Sequence, residues 1–377
     1  MPHVLHVISG LTVGGAEMAL YRLITGSRDS TYKHAVVALT PGGALGQRLR
    51  EAGIELTAFD FKRSPISHFF GLLSLMRRKR PDVVQTWLYH ADMFGGLAAR
   101  LAGNRNVIWG IRTTELTAGD SRITVLVRKI CAWLSRWVPN TIVCVADAAR
   151  RAHARVGYDS GRMIVVPNGF DLSRLVAEED QVNLLRTQCG FTSDEVVIGT
   201  LGRFNAAKDQ HNFIRAAGLL AQRHEGVRFL MVGRDLDAKN AELMHWIAQT
   251  GHADRFVLLG ERTDVPVCLA AMNVFCLSSR AEAFPNVVGE AMAMGLPCVV
   301  TDVGDAAMLV ADSGVVVPKE DSHALAQGVA GVLAMTPAAR RELGQRAKAR
   351  IHSEFTVDRT RERFEAIYQR LTKESQS

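Results

Sequence analysis

Short apolar runs alternate along this chain with longer stretches whose apolar positions recur every three or four residues. In the first half, residues 3–9 (HVLHVIS), 34–39, 54–59, 82–86 (DVVQT), 106–111 and 141–145 read as strands. Residues 18–25, 45–52, 67–80 and 92–101 read as the helices between them. The same grammar restarts at 196–201 (VVIGTL), with further strands at 228–233, 255–259, 274–277 and 297–301. Helices are predicted over 210–223, 238–250, 265–271 and 287–294, and a last one over 359–371. Runs that are apolar throughout belong to strands covered on both faces, which is the signature of a parallel sheet between helical layers. The expected fold class is α/β, with two Rossmann-like doubly wound domains. We place the first at 1–170, the second at 171–355 and a C-terminal helix at 356–377, with a polar join over 167–194 that contains PNGFDLSRL. In such sheets, ligands sit at the carboxyl ends of the strands.

Composition narrows the class. A chain of 377 residues, 47% hydrophobic and 22% charged, has ordinary globular content and enough apolar material for two cores. The six cysteines (Cys131, Cys144, Cys189, Cys268, Cys276 and Cys298) form no C-x-x-C pair and no metal-ligand spacing, so they read as buried thiols of a reducing compartment. We expect no secretory leader, since no basic stretch precedes an apolar run at the N-terminus, and no membrane-spanning helix. The net charge of +7 is unevenly spread. Residues 1–170 carry 22 Lys and Arg against 11 Asp and Glu, a net of +11, and the rest of the chain is mildly acidic. A basic half points to a phosphorylated substrate, an anionic membrane or nucleic acid. Its aromatic residues follow apolar patterns and make no exposed stacking series, which counts against nucleic acid.

Three segments carry candidate chemistry. In 278–305 (SSRAEAFPNVVGEAMAMGLPCVVTDVGD), Glu282 falls in a loop after a strand and Glu290 about one turn into the next helix. The backbone amides near Pro285–Val288 open that helix and suit a phosphate or sugar oxygen. On spacing alone, the pair is also what a loop carboxylate and a solvated helix carboxylate would give. In 202–208 (GRFNAAK), directly after a strand, Arg203 and Lys208 can neutralise a diphosphate, or be two surface cations. In 10–17 (GLTVGGAE), Gly14 and Gly15 either bring backbone close to a phosphate or make a tight strand–helix turn. The segment is neither a G-x-G-x-x-G nor a Walker A motif.

Together with LGERTDV, these segments make the chain resemble the retaining glycosyltransferases of family 4, which have the GT-B fold. The resemblance covers nearly the whole length, and the E-x7-E stretch is its most specific part. It implies two Rossmann-like domains facing across a cleft, with the nucleotide sugar held by the C-terminal domain, the acceptor by the N-terminal one, and the last helix returning to the first domain. It implies that Arg203 and Lys208 hold the donor diphosphate, that Glu282 contacts the sugar, and that Glu290 binds the ribose. Gly14 and Gly15 would approach the diphosphate, Phe284, Pro285 and Asn286 would complete the sugar and phosphate site, and Glu261 and Arg262 would face the nucleobase. Many relatives carry a histidine where WGIRTTE places Arg112, so Arg112 and the nearby His90 are both acceptor-side candidates. Asp209 stands where a glycine often follows the lysine. The implied reaction retains configuration and needs no cofactor and no metal, because fixed cations neutralise the leaving group. A UDP-sugar is the expected donor, with GDP-mannose next.

Residues 122–137 (RITVLVRKICAWLSRW) place Ile123, Leu126, Val127, Ile130, Trp133, Leu134 and Trp137 on one helical face, away from Arg122, Lys129 and Arg136. That is either a core helix with a basic outer face or an amphipathic helix on an anionic membrane. Residues 66–80 pose the same alternative. With the basic first half, the expectation is a cytoplasmic enzyme in peripheral contact with an anionic membrane, taking a glycan or lipid-linked acceptor of surface polysaccharide or lipopolysaccharide assembly. Two other readings stand beside it: a GT-B nucleotide-sugar 2-epimerase, and a non-catalytic basic binding protein.

Overall fold

The computed structural model describes residues 1–12, 14–26, 31–114 and 121–374. Val13 of the glycine loop and Glu115 of WGIRTTE therefore lie outside the described residues. The chain divides into two compact units, Met1–Gly169 with Val357–Ser377, and Phe170–Thr356.

The first unit alternates strand and helix: β1 (His3–Ile8), α1 (Gly15–Thr25), β2 (Lys33–Ala38), α2 (Ala44–Glu51), β3 (Glu55–Ala58), α3 (Pro65–Lys79), β4 (Val83–Trp87), α4 (Tyr89–Leu101), β5 (Val107–Ile111), α5 (Arg122–Leu134), β6 (Thr141–Cys144), α6 (Asp147–Val156) and β7 (Met163–Val165). Its strands pair in parallel in the order β3-β2-β1-β4-β5-β6-β7. The central strands are buried along almost their whole length, as continuous apolar runs require. The second unit runs α7 (Glu179–Gln188), β8 (Val196–Leu201), α8 (Gln210–Ala221), β9 (Val227–Val232), α9 (Ala241–Ala248), β10 (Phe256–Leu258), α10 (Val265–Ala270), β11 (Val274–Leu277), α11 (Asn286–Ala293), β12 (Cys298–Thr301), α12 (Ala306–Val310), β13 (Val315–Val317), α13 (Ser322–Leu333) and α14 (Pro337–Glu354). Its parallel sheet has the order β10-β9-β8-β11-β12-β13.

The last helix, α15 (Val357–Glu374), belongs to the first unit. Phe364, Ile367, Tyr368 and Leu371 recur at helical spacing and enter the core formed by Val4, Ile8, Leu20, Val36 and Trp87. The Tyr368 hydroxyl, fully buried, bonds to Gln85 of β4, and Thr360 Oγ1 donates to the Pro167 carbonyl at 3.1 Å. In the second unit, Ile198, Phe213, Phe229, Val274, Val299, Leu325 and Val329 form the core.

One expectation needs correcting. The polar join over 167–194 contains helix α7, which buries Leu185. Arg186 fixes its end by donating to the carbonyls of Ala271 (2.8 Å) and Thr192 (3.0 Å). A helix with so narrow an apolar stripe is held by tertiary contact more than by its own propensity, and so leaves little trace in the hydrophobic pattern.

Candidate donor site and neutral interior

In the second unit, the loops that follow β8, β9, β10 and β11 are stitched together at the strands' carboxyl ends. Gly233, after β9, has φ +147°, and a Cβ there would lie 2.0 Å from the Gly202 carbonyl oxygen, so only glycine lets the β8 and β9 loops meet. Phe204 N donates to Arg234 O at 2.8 Å, and Gly233 N to Gly260 O at 2.8 Å. The β8 and β11 loops are joined by Arg280 N to Ala207 O (2.8 Å) and Ser278 Oγ to Lys208 O (3.0 Å).

This stitching sets the charges. Lys208 Nζ lies 2.6 Å from Glu282 Oε1, and Ser279 Oγ donates to the same oxygen at 2.7 Å. Glu282 is only 12% exposed and Lys208 25%, so the spacing-based alternative of a solvated loop carboxylate does not describe Glu282. Phe284 and Pro285 are buried, and Glu290 is half-buried one turn into α11. No side chain caps the first turn of α11, because Pro285 occupies the capping position. Arg203 is exposed on the β8 loop.

Asp209 has φ 48° and ψ 54°, which explains why glycine suits this position and aspartate is tolerated. Its side chain caps α8, accepting from Asn212 N at 3.3 Å, and forms a two-point pair with Arg280 at 2.7 and 3.0 Å.

Glu261 and Arg262 point to different partners. Glu261 makes a two-point pair with Arg234 (3.0 and 3.2 Å), and this hydrogen bond holds its carboxyl below the usual range. Arg262 pairs with Asp264 at 2.6 and 2.9 Å. Arg234 and Ser279 were missed by sequence reasoning. Each stands two residues past the end of a strand, in VGRD and LSSR, where a polar residue earns suspicion.

The remaining predicted residues lie in the first unit. Gly14 occupies the capping position of α1, and Gly15 is its first residue. Glu17 packs near Gly14, and burial raises its carboxyl pKa. His90 is half-buried in the first turn of α4, and burial lowers its pKa. That turn begins at Leu88, whose φ of 73° with ψ 156° is a region favoured by glycine and a mark of local strain. Arg112 follows β5. Its guanidinium lies 4.2 Å from the Trp87 ring centre and 5.8 Å from that of Phe364, and donates to Asn168 Oδ1 at 3.1 Å. Burial pushes it down to about 10. These contacts make Arg112 a cation packed between β4 and α15.

The first unit also buries a set of titratable groups that the sequence reading left out. Trp87 Nε1 donates to His6 Nδ1 (3.2 Å), so His6 carries its proton on Nε2 and donates to His34 Nδ1 (2.9 Å). Burial holds His6 well below its ordinary pKa and His34 at about 4. Tyr89 OH lies 2.8 Å from His153 Nε2 and 2.9 Å from Thr113 Oγ1, and burial brings His153 to about 4 as well. Asp92, fully buried, accepts from Thr86 Oγ1 (2.5 Å) and Gly110 N (3.3 Å), and burial lifts its carboxyl to about 8.

Comparison with known proteins agrees with this architecture. The model described as Glycosyltransferase Family 4 matches residues 13–174, and that described as Glycosyl transferases group 1 matches 195–335. The chain is 27% identical over 241 residues to the Escherichia coli UDP-Gal:alpha-D-GlcNAc-diphosphoundecaprenol alpha-1,3-galactosyltransferase, covering 62% of this chain and 60% of that protein. It is 26% identical over 352 residues to the Rhizobium meliloti lipopolysaccharide core biosynthesis mannosyltransferase LpsB, covering 91% of this chain and 95% of that one. Among solved structures, Anabaena HepE in complex with UDP superposes with a TM-score of 0.84 at 22% identity, over 97% of this chain and 99% of that one.

Two doubly wound parallel sheets with these matches define a glycosyltransferase of GT-B fold. The chain belongs to glycosyltransferase family 4, its two family models together spanning most of its length.

Proposed function

We propose that the protein transfers a hexose or N-acetylhexosamine from a UDP-sugar to a hydroxyl of a glycan or lipid-linked acceptor in surface polysaccharide or lipopolysaccharide assembly, with retention of configuration. The observation that carries the donor half is the Lys208–Glu282–Ser279 cluster beside the uncapped start of α11. Lys208 spends one of its three N–H donors on Glu282 and keeps two for diphosphate oxygens. Arg203 supplies a second cation on the same loop, and Glu282, held by Ser279, offers its carboxylate to sugar hydroxyls. Glu290 is assigned to the ribose and the Arg234–Glu261 pair to the base.

In the reaction, the bond between the sugar carbon and the diphosphate oxygen breaks as the acceptor oxygen bonds to the same carbon. Lys208, Arg203 and the α11 amides stabilise the charge that develops on the departing diphosphate. The acceptor's proton leaves with the nucleoside diphosphate or passes to solvent. His90 is assigned to the acceptor side, and fixed cations take the place a metal would have. UDP is favoured because two of the similar proteins are described with it, one as a UDP-Gal transferase and one as a UDP complex.

Calorimetric titration with UDP, GDP and ADP tests this. UDP should bind saturably, and Glu290→Ala should weaken it about tenfold or more. Preference for GDP would move the donor to GDP-mannose. Binding of no nucleotide by folded protein would overturn the reading. Turnover of UDP-sugar only in the presence of an acceptor separates transfer from 2-epimerisation.

A further inference from the structure

Helix α5 has two apolar faces. Val127, Cys131, Ala132 and Leu134 are buried. Ile123, Leu126 and Trp133 form a second stripe at i, i+3 and i+10, with Trp137 in the turn just after the helix, and the four are 67%, 57%, 62% and 51% exposed. The rings of Trp133 and Trp137 meet edge to face with centres 4.8 Å apart. The segment thus packs one face into the core and leaves the other exposed. Helix α4 packs between α3 and α5, and α3 exposes Ile66 (75%) and Phe70 (62%).

Charge on these helices is mostly of one sign, although Lys79 of α3 pairs with Glu55 of β3 at 2.6 Å. Helices α3, α4 and α5 carry Arg77, Arg78, Lys79, Arg100, Arg122, Arg128 and Lys129, and their one acidic residue, Asp92, is fully buried. Among the described residues, none of the α5 cations is in an ion pair. Helix α1 and the helices α2 and α15 packed against it mix signs, with Glu17, Glu51, Asp358, Glu362 and Glu365 among their cations.

We propose that the exposed face of α5, with Ile66 and Phe70 of α3, docks the protein on an anionic bilayer. Helix α5 lies in the interface, Trp133 and Trp137 sit at the depth of the headgroups, and Arg122, Lys129 and Arg136 meet lipid phosphates. Apolar side chains alone would also suit another protein. Arg122, Lys129 and Arg136, exposed along the same segment as the two tryptophans and in no ion pair among the described residues, match a negatively charged lipid surface. This deepens the proposed function and rests on its lipid-linked acceptor.

The test is flotation with vesicles of phosphatidylcholine containing about a third phosphatidylglycerol, against phosphatidylcholine alone. The wild type should float with the anionic vesicles, lose part of that binding at high salt, and float little with the neutral ones. The variant Leu126→Glu/Trp133→Glu should partition at least ~10-fold less, since it replaces two apolar side chains by charges of the same sign as the lipid. Trp133→Ala/Trp137→Ala, which adds no charge, should show the same direction. Circular dichroism and UDP titration on each variant should match the wild type. Failure of the wild type to float, or equal flotation of the variants, overturns the proposal. So does a wild-type dimer that the variants convert to monomer without vesicle binding, which would make the stripe an interface between copies. UDP binding without flotation sinks the surface alone, and flotation without nucleotide binding sinks the donor reading alone.

Discussion

The two units share a fold but treat interior polarity in opposite ways. The first keeps most of its buried titratable groups neutral, with Arg112 as the exception: His6, His34 and His153 are held neutral by burial, and Asp92 is pushed toward its protonated form. The second keeps charge and pairs it, in Lys208–Glu282, Asp209–Arg280, Arg234–Glu261 and Arg262–Asp264. Neutral groups hydrogen-bonded inside a sheet's helical layers serve the fold, since an unpaired buried charge is costly. Paired charges at the strands' carboxyl ends are what a polyanionic ligand requires, and they are partly exposed where the ligand would arrive.

The largest test of this contrast is acid. A histidine whose folded pKa lies below its unfolded value near 6.5 binds fewer protons folded than unfolded between those two values. Its contribution is complete above pH 6.5 and is lost as pH falls toward 4, about 1.4 kcal/mol per pH unit for each such group. His6, His34 and His153 act together, so amide exchange should show the first unit opening before the second between pH 6.5 and 4. Asp92 has the opposite sign. Its folded pKa of about 8 exceeds the unfolded value, so its contribution is complete below about 4 and falls as pH rises through 8. Asp92→Asn should therefore stabilise the first unit increasingly from pH 4 to pH 8, while the hydrogen bonds from Thr86 and Gly110 persist. A melt in which this variant gains nothing at pH 8 would remove Asp92 from the account.

Next in size is Lys208→Ala. If the second unit's charge exists for a ligand, this change should lower turnover of a UDP-sugar by ~10²–10³-fold. The thermal midpoint should move only a few degrees, since the lysine is partly exposed. Near-normal turnover would make the Lys208–Glu282 pair structural and erase the contrast.

Gly304→Ala is smaller and acts on backbone. Gly304 has φ +57°, and a Cβ there would stand 2.5 Å from the carbonyl oxygens of Glu282 and Ala283. The loop that carries Glu282 must shift, at a cost of about 2 kcal/mol from left-handed strain and contact together. The expected signature is a lowered melting midpoint with a loss of turnover greater than the loss of folded protein. Equal losses would mean that Glu282 does not depend on this support.

Much of this was legible beforehand, for identifiable reasons. Central strands such as β1, β4, β8 and β11 are buried on both faces, so their sequences are mostly apolar, broken only by single buried polar residues such as His6 or by the Gln85–Thr86 pair, and announce a parallel sheet. The edge strands β7 and β13 are three residues each and only partly buried, and α6, α7 and α14 are mostly polar or small with few buried positions. In the second unit, Arg203, Lys208, Glu282 and Glu290 stand in local motifs and could be read. The partners that orient them could not, because Lys208 and Glu282 are 74 residues apart and Arg280 and Asp209 are 71 apart. The neutral cluster was hidden for the same reason: His6 and Trp87 are joined only through the β1–β4 pairing.

The smallest effect concerns Asp209, where backbone and charge can be separated. Asp209→Asn keeps a side chain that tolerates the left-handed region and can cap α8, and it removes only the charge facing Arg280. Arg280 is 46% exposed, so that pair should be worth no more than about 1 kcal/mol. Asp209→Gly keeps the backbone but loses both cap and pair, and a glycine in the capping position costs only a few tenths of a kcal/mol more. Asp209→Ala loses cap and pair and adds left-handed strain of about 1–2 kcal/mol. Melting midpoints should therefore fall in the order Asn, Gly, Ala, all within a narrow range. If asparagine instead costs as much as alanine, the Arg280 pair and not the backbone governs this position. The second unit's paired charges would then carry its stability as well as its ligand.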